Sequence, residues 1–90
     1  MSRLEDALRD ELALRSRLNA LVRERADAVT EARRLRERAR LDGAADDLEE
    51  LAARWDAVAQ RVENDIDARR AALREQEGVV ARVRAEEAGA

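Results

Sequence analysis

The residues with the clearest chemical potential are five arginines in one short stretch, Arg33, Arg34, Arg36, Arg38 and Arg40. A guanidinium presents a fork of N–H donors that matches phosphate, so such a run can contact nucleic acid as well as carboxylates. Glu37 sits inside the run, and an acidic stretch, Asp42 to Glu50, follows at once. No aromatic residue lies among the arginines to stack on bases, and the net charge is −3. A solvated basic helix end is therefore the preferred reading, with phosphate contacts from these five residues as the alternative. All 18 basic residues are Arg and none is Lys, which beside 20 Ala reads as a composition bias rather than a binding signature.

Catalytic chemistry has little to draw on. The chain contains no His, Cys, Lys or Tyr, and Ser2, Ser16 and Thr30 are its only hydroxyl-bearing side chains. Neither a nucleophile and base pair nor a His-containing metal site of the kind built into helix bundles can be assembled from these residues. No enzyme, cofactor, metal or small-molecule substrate is expected.

The elements that must carry these residues are two long helices. The chain has 90 residues, no Pro, three Gly and 43% charged residues, which favours helix almost throughout. Apolar residues spaced alternately three and four apart run Leu4, Ala7, Leu14, Leu18, Leu21, Ala28, Ala32, Leu35, Ala39. A second series runs Leu41, Ala44, Leu48, Leu51, Trp55, Val58, Val62, Ala72, Val79, Val83, out of step with the first by two residues. A continuous coiled coil accommodates slips equivalent to three or four residues, not two, so the chain breaks between the series. The break falls at Asp42-Gly43, where arginines suit a helix C-terminus, Gly can adopt the left-handed conformation, and Asp46 with Glu49 has capping-box spacing. A second capping box, Ser2 with Glu5, opens the chain.

The expected fold is all-α: an antiparallel two-helix coiled-coil hairpin with helix 1 over about 3–41, a turn over about 42–46, helix 2 over about 47–84 and a mobile tail at 85–90, forming a single domain. Residues 1–45 carry 11 Arg against 9 acids and residues 46–90 carry 7 Arg against 12, so the two halves have opposite net charge and favour antiparallel docking. Partners across the hairpin should have residue numbers adding to the high eighties, which sets Trp55 opposite Ala32 with Ala28 nearby and buries it. A register shifted by about three residues, with Arg25 opposite Asp65, is also open. An exposed Trp55 serving as a binding hot spot is the alternative to a buried one. Numbering the second series so that Trp55 is an a position, its e positions Ala45, Ala52, Ala59, Ile66, Leu73 and Val80 are all apolar. A stripe that wide suits a helix with two neighbours. A second hairpin is expected to supply the missing one, in a homodimeric four-helix bundle held by Trp55, Val62, Ile66, Leu73 and Val80.

Glu11, Arg25, Asp65, Arg69 and Gln76 interrupt the seams, and polar residues there are expected to fix register at a cost in stability. No apolar run approaches the ~20 residues needed to span a bilayer. The amphipathic start, MSRLEDALRDEL, lacks the layout of a secretion signal, so a cytoplasmic location is expected. The length and hairpin layout are shared with small secreted proteins that carry a Trp-x-Gly turn. Here the tip is Leu41-Asp42-Gly43-Ala44 and the Trp stands in Arg54-Trp55-Asp56, so that motif is absent and no family is assigned. Function is expected to be that of a structural or adaptor module that binds itself and a protein partner.

Overall fold

Ser2 opens the first helix as its cap: the Glu5 backbone N–H donates to Ser2 Oγ at 3.1 Å, satisfying one of the donors a helix start leaves unpaired. In this computed structural model, which describes residues 2–43 and 45–89, helix α1 spans Arg3–Asp42 and helix α2 spans Ala45–Gly89. Between them Gly43 adopts φ 71°, a left-handed conformation that any side chain would strain. The two helices lie antiparallel as an all-α hairpin measuring 71 × 16 × 14 Å.

Both ends of α2 differ from expectation. Asp46 and Asp47 lie within its first turn rather than at its cap, and Ala44, also assigned to the turn, lies outside the described residues. At the other end the helix passes through Gly78 and continues over residues 85–89, which were expected to form a tail; Ala90 is outside the described residues. Buried Val83 and an ion pair from Arg3 to Glu86 at 2.8 Å hold these last turns against the start of α1.

The seam of α1 is the expected one, with Ala7, Leu21, Ala28, Ala32, Leu35 and Ala39 buried. The seam of α2 is not. Its buried residues are Ala52, Val62, Ile66, Val80 and Val83, while Leu51, Trp55, Asp65 and Arg69 are exposed. The helix is turned by roughly 50°, half the angular step between successive residues, so that the e line faces α1. The cause is the charge pattern. The d line is broken by Asp65 and the a line by Arg69, whereas the e line is apolar throughout. Burying an unpaired charge costs far more than exposing a Leu, so the uninterrupted line wins the interior. The e residues therefore need no second hairpin to cover them.

Two clusters show the register. Leu21 packs with Val62 and Ile66, flanked by Leu18 and Val58. Nearer the tip Ala32 and Leu35 pack with Ala52, flanked by Leu48. Leu21 with Ile66 and Leu35 with Ala52 keep the expected numbering relation.

Candidate interaction surfaces

Among the described residues no polar or charged side chain is buried, so the expected polar core is redistributed. Gln76 comes closest to the assigned role, since its Nε2 donates to the Ala7 carbonyl oxygen at 2.9 Å across the two helices. Arg25 reaches out of the seam to Glu63 of α2. Glu11 accepts from its own helix neighbour Arg15 at 2.8 Å, and Arg15 also reaches Glu77 of α2 at 3.4 Å. Asp65 and Arg69 stand outside the seam, at a shallow groove shared with Arg17 and Leu21.

The Arg33 to Arg40 run is divided between two sides of α1. Arg33, Arg36 and Arg40 line one groove together with Val29, Glu49 and Asp56. Arg34 and Arg38 lie more than a quarter-turn away by helical periodicity. Four of the five face carboxylates: Arg34 with Glu31 at 3.8 Å, Arg36 with Asp56 at 2.5 Å and Glu49 at 3.4 Å, Arg38 with Asp42 at 3.8 Å, and Arg40 with Glu37. Among the described residues the ion pairs crossing the hairpin, Arg3 to Glu86, Arg15 to Glu77, Arg25 to Glu63 and Arg36 to both Glu49 and Asp56, each set Arg on α1 against an acid on α2.

Arg36 also sets an acid-sensitive contact. Its hydrogen bond to the Asp56 carboxylate raises the guanidinium and, reciprocally, holds Asp56 below its ordinary value of 3.8. A carboxylate depressed in the folded state contributes stability above its unfolded pKa and loses it as pH falls through the folded one. The hairpin should thus weaken below about pH 4, and Asp56→Asn should flatten the profile in that window. Thermal melts from pH 5 to pH 2 test this, at low salt to preserve the contribution of so exposed a pair. An unchanged profile in the variant would remove the pair from the account.

Two apolar flanks remain open to solvent. On the side where Arg15 and Arg36 cross to α2, α1 exposes Leu8 (36%), Val22 (43%) and Leu12 (67%). On the opposite side α2 exposes Leu51 (41%) and Trp55 (37%), with half-buried Val58 completing an i, i+4, i+7 set. Leu41 (76%) is exposed at the tip. The indole was expected to be buried. A two-helix interface is one side chain deep, and nothing closes over a ring that large, whereas Val62 and Val83 at the same heptad position are covered.

Of the stripe assigned to self-association, then, Val62, Ile66 and Val80 are buried against α1 and Leu73 is half-buried. Trp55 alone of that set is exposed. The sequence signal for the open flank of α2 was the i, i+4, i+7 spacing of Leu51, Trp55 and Val58. Comparison with protein-family models, with curated proteins and with solved structures finds no match. Among the described residues no group of acidic side chains is placed to hold a metal ion, and no helix is long and apolar enough to cross a membrane.

Proposed function

We propose that this protein is a non-enzymatic structural or adaptor module of the cytoplasm that associates with itself and with a protein partner through coiled-coil surfaces. The observation that carries this reading is the surface the hairpin leaves uncovered. The chain exposes 6574 Å². A compact monomer of its 10.1 kDa mass would expose about 5,300 Å². The excess includes large apolar side chains on both flanks, and association covers such surface. The natural test is light scattering after gel filtration across the micromolar range. A dimer or larger species is expected, and a folded monomer at every concentration would overturn self-association.

The reading of the Arg33 to Arg40 run as a phosphate contact ranks second. What weighs against it is that the carboxylates facing these arginines would have to be displaced, and that the run is split between two sides. Were it right, RNA or DNA affinity would fall steeply with salt and drop in a variant with Arg34, Arg36 and Arg38 changed to Gln. The expected result is no salt-sensitive binding at ~150 mM salt. Tight binding lost in that variant would reverse the ranking.

A further inference from the structure

We infer that the second copy docks face to face on the Leu51, Trp55 and Val58 flank, antiparallel and overlapping only at the tips, with the two-fold axis near residue 53. This inference rests on the self-association proposed above and specifies its geometry.

An isologous contact must be complementary to itself, because each residue meets the mate of its own counterpart across the axis. Antiparallel stacking about residue 53 sets Leu51 against the partner's Trp55 and Leu48 against the partner's Val58. Each apolar pair then occurs twice. These are the large side chains that the isolated hairpin leaves exposed or half-buried on this side. A central aromatic anchor with aliphatic neighbours is the usual composition of an energetically dominant contact.

Charge independently selects the same arrangement. Along this edge of α2 run Asp47, Arg54 and Arg61, and along the same side of α1 run Glu31 and Arg38. Asp47 and Arg61 lie six residues before and eight residues after residue 53, so each comes within about two residues of its opposite in the partner. In α1 the residue level with 53 is Arg34, and Glu31 and Arg38 straddle it in the same way. Four attractive pairs result, against two like-charge approaches at the axis, where Arg54, held by Glu50, and Arg34 each come nearly level with their own copies. The present partners of Glu31 and Arg38 lie at the loose distance of 3.8 Å, which makes re-pairing inexpensive. Parallel stacking of α2 on the partner's α2 would instead place Asp47 on Asp47 and Arg61 on Arg61, which is repulsive.

The opposite flank lacks both features. Its Leu8 and Leu12 are separated from Val22 by Arg15, whose guanidinium is held by Glu11 and Glu77. Extending the overlap along α2 would bring Asp65 into the contact. The overlap therefore ends after about 20 residues, roughly 30 Å of helix. The resulting dimer is about 110 Å long, against 71 Å for one hairpin.

The chain has no cysteine, so single-Cys variants carry one spin label each. Ala57 and Ala88 are exposed and tolerate the change. In the dimer, labels at Ala57→Cys should lie about 20–30 Å apart and labels at Ala88→Cys beyond about 80 Å. Leu51→Glu should weaken dimerisation at least about tenfold, and Leu12→Glu by less than about twofold. Circular dichroism at low concentration should show both variants as helical as the parent. A dimer whose Ala88→Cys labels fall within about 60 Å, or whose Ala57→Cys labels exceed about 50 Å, overturns this geometry while leaving self-association standing. Dissociation by Leu12→Glu rather than Leu51→Glu would transfer the contact to the other flank. A parent protein that is monomeric by light scattering overturns the geometry and the self-association together.

Discussion

Ile66→Glu is expected to unfold the hairpin rather than to dissolve an assembly of folded hairpins. Ile66 is 2% exposed within a single chain and forms one cluster with Leu21 and Val62, so its environment is complete before any second copy arrives. Truncating a buried Ile to Ala already costs about 2–5 kcal/mol. Glu adds the cost of desolvating a charge with no cation in the cluster, and the total rivals the ~5–15 kcal/mol that stabilises a typical domain. Circular dichroism should show loss of helix for Ile66→Glu at concentrations where the parent and Leu51→Glu remain folded. A helical, monomeric Ile66→Glu would restore Ile66 to an intermolecular surface and refute the placement of the seam.

That experiment separates what the sequence disclosed from what it did not. The break at Gly43 was legible because two apolar series cannot share one phase, and the α1 seam was legible because Ala7, Leu21, Ala28 and Leu35 have no competing apolar line of equal continuity beside them. In α2 three lines were apolar enough to face inward. Choosing among them required weighing Asp65 and Arg69 as charges to be kept wet, which periodicity counts do not do. Treating those two residues as a polar core buried the wrong line and left the e residues apparently unpartnered. The fate of Trp55 followed from the same error compounded by size, since a small residue opposite does not enclose an indole whose outer edge faces water. The carboxylates that face Arg36 were not predictable either, because Glu49 and Asp56 come within reach only once register and rotation are both set.

The tip half of the seam makes a further demand that only the assembled hairpin reveals. Ala52 is fully buried, and it meets Ala32 and Leu35, with Leu48 alongside. Ala28 and Ala39 extend the small-residue line on α1, and at Ala52 a methyl group rather than an isobutyl group fills the space against Ala32 and Leu35. Ala52→Leu is accordingly expected to destabilise the hairpin by about 1–3 kcal/mol, although it adds apolar surface and Leu is nearly as good a helix former as Ala. Two opposing effects decide the sign. A Leu that swung to the edge of the seam, as Trp55 has done one turn later, would escape the clash and gain some burial. Ala52 lies at the centre of the contact, where 0% exposure leaves no open side to swing into, so the helices must part or the side chain must leave its preferred rotamer. Parting them would also lengthen the Arg36 contacts to Asp56 and Glu49, which flank the same turns. Urea denaturation at fixed protein concentration measures the change, and an increase in stability for Ala52→Leu would mean that the tip seam is under-filled and that its alanines do not set the spacing of the helices.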